Sequence, residues 1–247
     1  MNIRLLIDYD GTAYHGWQIQ KNGITIEGVL TDAIKKITKE QVKLTGCGRT
    51  DAGVHAQNYV CNFKTSAHIP PEKYPVALNT VLPDDIVVKD AVAEDEEFCA
   101  ILSSHSKRYV YRIWNAPIPD AFVQRYSWHY KYPLDVEAMQ EAAKAFIGEH
   151  DFLGFAAAGF TVKTTVRTIY SLDVRKSGDL IEIDVCGNGF LYNMVRIIAG
   201  TLVHVGGGKI KACDMGDIIA SKDRKRAGIT APAKGLCLKE VYYGEGR

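Results

Sequence analysis

Long apolar runs and a large net charge are both missing from this sequence of 247 residues. No apolar run approaches the roughly 20 residues that a membrane-spanning helix needs. Residues 1–8 are too short in apolar length for a secretion signal, so we expect neither export nor a membrane anchor. Because the net charge is only +1, the molecule as a whole does not attract nucleic acid, and any RNA binding requires a local basic patch.

Paired cysteines are also missing. The chain has six cysteines and no CxxC pair, which argues against a zinc knuckle and against a disulfide framework. Reduced thiols in a reducing cytoplasm are the better interpretation, so we predict a cytoplasmic location. The six are Cys47, Cys61, Cys99, Cys186, Cys213 and Cys237.

What the sequence does contain is typical of a soluble globular protein, with 47% hydrophobic and 24% charged residues. The first part of the chain alternates between strands and helices. This β-α-β-β-α-β order is the split βαβ, ferredoxin-like pattern that RNA-recognition modules also use. Strands are predicted at 4–9, 42–45, 58–63 and 86–92, an amphipathic helix at 26–37, and a shorter helix within 70–82.

An acidic run at 94–97 breaks that pattern and places a boundary between halves near residues 94–106. We therefore predict an N-terminal domain at 1–105 and a C-terminal domain at 106–247, both α+β. One continuous sheet, or two facing sheets with a cleft between them, would accommodate both halves. The second half is predicted to contain strands at 107–114, 166–175, 180–185 and 236–243, and helices at 134–147 (with Asp135 as N-cap), 190–203 and 212–221.

A glycine-rich loop at 45–56 carries the strongest chemical signal. Three glycines in eight residues permit backbone turns that side chains forbid. Asp51, Arg49 and His55 share this bend, which favours Asp51 as a nucleophile or base as much as a turn aspartate that bonds its own backbone. Asp51 and His55 could also be two metal ligands, the basis of a metal-dependent hydrolase, although no third ligand is evident nearby.

Arg196 lies in a helix that is predicted to be buried, because nearly every position from 190 to 198 is apolar. A buried guanidinium cannot lose its proton and needs an anion. The alternative is an arginine that reaches solvent from the rim of the helix. We favour a buried ion pair and name Asp51 as the candidate partner, which would keep Asp51 ionised.

Tyr109 lies on the predicted strand at 107–114, where Tyr111 shares its face, and Arg108 and Arg112 lie on the other. One interpretation is a tyrosine that stacks on a flipped base while the arginines hold phosphates. Two core tyrosines on an ordinary strand explain the pattern equally well. The basic cluster at 222–226 is either a phosphate-binding patch or, more commonly, a solvated helix end.

These motifs together resemble the TruA family of tRNA pseudouridine synthases, over the whole chain. Residues 48–56, Gly-Arg-Thr-Asp-Ala-Gly-Val-His-Ala, match the catalytic motif of that family without a mismatch. Residues 9–20 resemble its opening, 107–112 its tyrosine strand, 188–196 its arginine helix and 233–236 its last motif. One departure is Gln57-Asn58-Tyr59, where the family more often has a small residue, Gly and Gln.

The resemblance implies an α+β fold of two related domains around a shared antiparallel sheet, the pseudouridine synthase fold. It implies isomerisation of uridines 38, 39 and 40 in the tRNA anticodon arm by a homodimer, without a cofactor, a metal or a membrane. Asp51 would be the catalytic aspartate and Arg196 its ion-pair partner. Tyr109 would stack on the uracil, Arg49 would hold the base out of the helix, and Leu236 would lie in an apolar wall.

A non-catalytic RNA-binding protein made of two RRM-like halves is the main alternative from another functional class. It predicts that Asp51→Ala leaves function intact, whereas the metal-dependent hydrolase predicts sensitivity to a chelator. The residues alone also leave open whether Asp51 attacks the sugar, attacks the base or removes a proton.

Overall fold

The computed structural model describes residues 1–159 and 162–244, and the chain has an α+β fold. It forms two compact units. Unit 1 comprises Met1–His105 together with the segment that begins at Cys237, and unit 2 comprises Ser106–Leu236.

The strands are β1 (Asn2–Tyr9), β2 (Thr45–Gly46), β3 (His55–Lys64), β4 (Ile86–Glu94), β5 (Ser104–Trp114), β6 (Trp128–His129), β7 (Gly148–Asp151), β8 (Val166–Ser177), β9 (Leu180–Gly187) and β10 (Leu236–Tyr243). The helices are α1 (Ile26–Thr38), α2 (Tyr74–Asn79), α3 (Val136–Lys144), α4 (Met194–Gly206) and α5 (Met215–Ser221).

In unit 1, β1 is the central strand and pairs with β3 on one side and β4 on the other, both antiparallel. The short β2 pairs antiparallel with β3, and β10 pairs with β3 in parallel at Cys237↔His55 and Leu238↔Ala56. Alternate residues of β1 are fully buried because successive side chains point to opposite faces of the sheet. Thus β3, which begins at the glycine-rich loop, is held by three other strands.

The amphipathic helix predicted at 26–37 is confirmed as α1. It begins where the Thr25 hydroxyl accepts a hydrogen bond from the Gly28 N–H at 3.3 Å, and it ends at Lys39, whose φ of 64° is left-handed. Ile26, Leu30 and Ile34 are fully buried, as expected for apolar residues repeated at helical spacing.

In unit 2, β9 pairs antiparallel with both β5 and β8, and β7 extends the sheet from β8. The helix α3 packs on α4 and β8, and the predicted N-cap is confirmed, because the Asp135 carboxylate accepts a hydrogen bond from the Ala138 N–H at 3.0 Å. The two-residue strand β6 pairs in parallel with β5. Both units are therefore mainly antiparallel, with one parallel pair each.

Several predicted boundaries differ from the structure, and two short strands were not predicted. The helix predicted from residue 190 begins at Met194, because Asn193 has a left-handed φ of 61° that an α-helix cannot contain. The strand predicted at 42–45 pairs only from Thr45. The short strands β6 and β7 were not predicted, since two to four residues are too few for a periodic pattern.

Candidate active site

Three aromatic rings in unit 1 support the loop that carries Asp51. Trp17 stacks on Tyr59 with ring centroids 4.2 Å apart, and Tyr9 contacts both rings. The Tyr59 hydroxyl donates to the Gly48 carbonyl at 2.5 Å, and the Tyr9 hydroxyl is 2.8 Å from the Thr50 hydroxyl. Burial raises the pKa of Tyr59, so its phenol stays protonated as a donor.

The loop glycines are needed for two different reasons. A Cβ added at Gly46 would lie 2.1 Å from the Tyr59 hydroxyl oxygen and 2.6 Å from the Trp17 ring, so only glycine lets the chain pass this close to the aromatic rings. Gly53 has a φ of 76°, which is left-handed. The sequence prediction that glycine permits a forbidden turn therefore holds at Gly53, whereas Gly46 is required for space.

A second loop, residues 10–17, also holds the Asp51 loop, through main-chain hydrogen bonds. The Trp17 N–H donates to the Thr50 carbonyl at 3.1 Å, and the Gly53 N–H donates to the Tyr14 carbonyl at 3.2 Å. The backbone of Gly16 lies so close that a Cβ there would be 2.4 Å from the Thr50 oxygen. The half-buried Asp51 is therefore presented by a backbone that is fixed both before it, at Thr50, and after it, at Gly53.

His55 is 5% exposed and turns into the interior of unit 1. Its Nδ1 lies 3.0 Å from an Asp10 carboxylate oxygen and 3.1 Å from the Gly11 nitrogen. The imidazole thus ties the loop at 10–17 to the start of β3. Among the described residues there is no group of three or more His, Cys, Asp or Glu side chains placed to hold a metal ion.

Asn58, where the resembled family more often has Gly, has a left-handed φ of 52°. Asparagine is among the few residues that tolerate this conformation, which accounts for the departure from the family motif. Its side chain accepts from the Lys89 ammonium at 2.6 Å and donates to the Glu240 carboxylate at 3.0 Å, and its N–H donates to Asp8 at 2.8 Å. The position therefore ties β3 to its neighbours β1 and β10, and to β4 beyond β1.

Arg49 is exposed, and within the described ranges no carboxylate lies within ion-pair distance of its guanidinium. Four other arginines, Arg4, Arg108, Arg112 and Arg175, lie within ion-pair distance of a carboxylate. Arg4 pairs with Glu94 at 2.8 Å, for example. The loop thus places one exposed cation two residues before Asp51.

In unit 2, α4 confirms the prediction of a buried helix, because every residue except Arg196 and His204 is buried. Arg196 itself is half-buried in the first turn. Its Nε donates to the Ala231 carbonyl at 2.7 Å and its Nη1 to the Asn193 side-chain oxygen at 2.7 Å. These two bonds fix the plane of the guanidinium.

The same part of unit 2 holds the segment that leads to Leu236. The Tyr111 hydroxyl donates to the Pro232 carbonyl at 2.7 Å, and a Cβ at Gly235 would lie 2.7 Å from the Tyr111 ring. Burial raises the pKa of Tyr111, against a smaller lowering by the nearby charge of Arg196. Tyr111 is therefore a core residue, and the buried Leu236, 6% exposed, directly follows the glycine that packs against its ring.

Tyr109 differs from Tyr111 because it is only half-buried. Its ring meets the edge of Phe190 at 5.2 Å between centroids, with the planes at 83°. On the opposite face of β5, Arg108 and Arg112 form ion pairs with Asp184 and Glu182 of β9 at 2.5 and 2.8 Å. The interpretation in which these two arginines hold phosphates is therefore not supported.

The basic cluster at 222–226 is mostly bound within unit 2. Lys222 pairs with Asp151 at 2.8 Å, and this ion pair lowers the pKa of Asp151. Arg224 donates to the Gly228 carbonyl at 2.7 Å. These contacts favour the interpretation as a helix end over a phosphate patch.

The structure thus places Asp51 and Arg49 in unit 1, and Tyr109, Arg196 and Leu236 in unit 2. Sequence reasoning did not identify the roles of Asn193 and Phe190, or of the backbone at 231–232. Asn193 could have been found as a left-handed residue before a helix, but a backbone carbonyl that binds an arginine leaves no sequence signal.

In the described part of the chain no helix has both the length and the apolarity to cross a bilayer.

A family model described as tRNA pseudouridine synthase matches residues 5–101 and 142–244. The tRNA pseudouridine synthase A of Thermoanaerobacter sp. (strain X514) is 52% identical over 242 residues, covering 98% of this chain and 99% of the relative. The tRNA pseudouridine synthase A of Ruminiclostridium cellulolyticum is also 52% identical over 242 residues, with the same coverage.

Among solved structures, a chain in a Cbf5-Nop10-Gar1 complex aligns with a TM-score of 0.44 and 14% identity, over 97% of this chain and 48% of that chain. This similarity is too weak to support an inference about fold or function.

Proposed function

Since the chain belongs to the tRNA pseudouridine synthase family, an isomerase family, we propose that it converts uridines 38, 39 and 40 of the tRNA anticodon arm to pseudouridine. The chain is an enzyme that isomerises uridine in tRNA. The interpretation as a non-catalytic RNA-binding protein is therefore wrong. The positions in the arm and the roles of individual residues are the parts that we propose.

The observation that carries the proposal is the placement of Asp51. It is half-buried on a loop whose backbone is held by the Tyr59 hydroxyl and by main-chain hydrogen bonds with residues 10–17. A catalytic group must be held in a productive geometry, since small displacements cost rate. A carboxylate on a rigid loop, partly open to solvent, fulfils that requirement.

The reaction breaks the C1′–N1 glycosidic bond, rotates the uracil and forms a C1′–C5 bond. The proton on C5 leaves, and N1 ends with a proton, so the product is an isomer of the substrate. Asp51 can begin this by attacking the sugar, by attacking the base or by removing the C2′ proton. All three routes need an ionised carboxylate, and Tyr109 or a water can accept the C5 proton.

We propose that Arg196 forms an ion pair with Asp51 and keeps it ionised. Its guanidinium is held in one plane by Ala231 and Asn193, and a fixed guanidinium plane suits a carboxylate partner. The pair joins residues from two units and stays a prediction.

The remaining assignments concern the uracil and the RNA. We propose that the half-exposed ring of Tyr109, fixed by Phe190, stacks on the target base. Leu236 would form part of the apolar wall that retains the detached uracil, and the exposed Arg49 would keep the nucleotide out of the helix.

The decisive experiment measures tritium release from C5-labelled uridine in anticodon-arm RNA, with EDTA present. Three RNA substrates carry the labelled uridine at position 38, 39 or 40, and a control RNA carries it at another position. We expect tritium release from the first three substrates and none from the control RNA. Asp51→Asn should reduce the rate on the order of 10³-fold, whereas Asp32→Asn, on the exposed face of α1, should not change it.

Tritium release from the control RNA as well would contradict the assignment of positions 38, 39 and 40. Full activity of Asp51→Asn would contradict the essential role of the aspartate. Activity that is present without EDTA and lost with EDTA would favour the metal-dependent alternative. Sedimentation equilibrium tests the proposed homodimer, which a monomeric mass at assay concentration would contradict.

A further inference from the structure

Arg167, on β8 in unit 2, is a cation with an unusual set of partners. Its guanidinium donates to the carbonyls of Thr164 and Val166 at 2.9 and 2.6 Å, and no carboxylate lies within ion-pair distance of it in residues 1–159 and 162–244. By contrast, Arg175 of the same strand lies 3.8 Å from Asp173. Arg167 is half-buried, and burial lowers its pKa. A partly desolvated charge without a carboxylate is suited to an external anion.

The segment 188–193, which joins β9 to α4, passes directly beside Arg167. The Asn188 N–H donates to the Thr168 carbonyl at 3.0 Å, and the Asn188 side-chain oxygen accepts from the Thr168 N–H at 3.0 Å. Arg167 lies over Gly189, since its Nε is 3.6 Å from the point where a Cβ would be. The start of the segment is therefore fixed next to the cation.

Tyr192, near the other end of this segment, presents an aromatic ring to solvent on an anchored backbone. Its side chain is 49% exposed, although its carbonyl accepts from the Ala157 N–H at 3.0 Å. From Gly189 to Tyr192 the chain advances three residues, at most about 11 Å. An exposed ring and a cation joined by so short a stretch of chain can reach the base and the phosphate of one or two neighbouring nucleotides.

The segment also connects this pair to the proposed base-binding residue. Phe190, between Gly189 and Tyr192, packs its ring against Tyr109. A nucleotide at Arg167 and Tyr192 would therefore lie beside the nucleotide that Tyr109 holds.

We propose that Arg167 and Tyr192 form a binding subsite for a nucleotide that neighbours the target uridine, with Arg167 on a phosphate and Tyr192 stacked on the base. This inference rests on the proposed function, because it takes RNA as the substrate. Stacking on an aromatic residue tolerates any base, so the subsite would strengthen binding without selecting a sequence. It would also hold the strand while the target uridine is displaced.

The first test compares Tyr192→Ala, Tyr192→Phe and Tyr170→Ala. Tyr170 is the matched control, because it is 54% exposed on β8 and lies outside segment 188–193. We expect Tyr192→Ala to raise Kd and KM for anticodon-arm RNA about five- to a hundred-fold, with kcat little changed, because the contact is made in the ground state as well. Tyr192→Phe keeps the ring and should bind like the wild type, as should Tyr170→Ala.

The second test measures the salt dependence of RNA binding for Arg167→Gln, with Arg175→Gln as control. Loss of one phosphate contact should weaken binding and reduce the slope of log K against log salt by about 0.7 to 1. Arg175→Gln should leave the slope unchanged. Binding is measured in an Asp51→Asn background, so that the RNA is not converted during the titration.

The outcomes separate this inference from the proposed function. If the wild type releases no tritium, the proposed function fails. If it does, and Tyr192→Ala and Arg167→Gln bind RNA like the wild type, only the subsite is wrong. An equal loss of RNA affinity in Tyr170→Ala would also overturn the subsite. So would a change in oligomeric mass of the Tyr192 or Arg167 variants without a change in RNA affinity, because this surface would then be a contact between copies of the chain.

Discussion

Around Asp51 the backbone is held by hydrogen bonds between two loops. Around Arg196 the backbone is held by the burial of an almost wholly apolar helix, α4. The Asp51 loop is fixed by a few individual contacts, such as the Trp17 N–H on the Thr50 carbonyl and the Tyr59 hydroxyl on the Gly48 carbonyl. The helix α4 buries residues on every face. The two members of the proposed catalytic pair therefore rest on different physical supports.

The difference predicts different responses to substitution. A loop held by single atoms at short range has no room for an added methyl group, so a small change displaces it and reduces activity. A helix held by apolar area tolerates changes of shape that conserve volume, but a cavity within it lowers the stability of the fold. The following substitutions test that contrast, from the largest expected effect on stability to the smallest.

Ile198→Ala removes a fully buried side chain from α4 and should have the largest effect on stability. We expect a loss of about 2 to 5 kcal/mol in the free energy of unfolding, measured by urea denaturation. Ile198→Val is the control and should cost about 0.5 to 1.5 kcal/mol. Equal small losses for both variants would show that burial is not what holds this helix.

Gly46→Ala places a methyl group against Tyr59 and Trp17. We expect a loss of about 1 to 3 kcal/mol in stability and, because the loop moves, a decrease in kcat of about a hundred-fold. Gly216→Ala is the matched control, since nothing lies within 4 Å of its added Cβ and it is in a helix, where alanine is favoured. Wild-type activity in Gly46→Ala would contradict the close fit of the loop.

Arg196→Met removes the bonds to Ala231 and Asn193. Hydrogen bonds from a charged donor contribute about 1.5 to 3 kcal/mol each, and half-burial weakens them. We therefore expect the free energy of unfolding to fall by about 2 kcal/mol in urea denaturation, and the tritium-release activity to be lost. Arg175→Met, whose side chain is 71% exposed, should be near neutral. If Arg196→Met is as stable and as active as the wild type, the proposed ion pair is wrong.

A pair of substitutions at Asn58 isolates backbone strain. Asn58→Gly and Asn58→Ala both lose the side-chain bonds to Lys89 and Glu240. Only alanine adds the cost of a left-handed conformation, about 1 kcal/mol. We expect Asn58→Ala to be less stable than Asn58→Gly by that amount in urea denaturation, and equal stabilities would exclude strain as the reason for asparagine here.

Sequence patterns predicted most of the regular elements but not what holds the candidate site. Alternation in β1 and helical spacing in α1 survive in the structure because each face repeats over several residues. The interpretation of Arg196 was only partly complete, since it considered an anion and not the Ala231 carbonyl, which is 35 residues away. His55 was grouped with Asp51 by proximity in sequence, yet its ring is turned to Asp10 and Gly11.

The sequence alone determined the buried character of α4, the N-cap of α3, and the family, because these depend on local pattern or on a motif of adjacent residues. Only the tertiary structure decided why Gly46 must be glycine, why Asn58 departs from the motif, and which of Tyr109 and Tyr111 is in the core. Each of these depends on atoms brought close by the fold from distant positions, and a contact of that kind leaves no periodic signal in the chain.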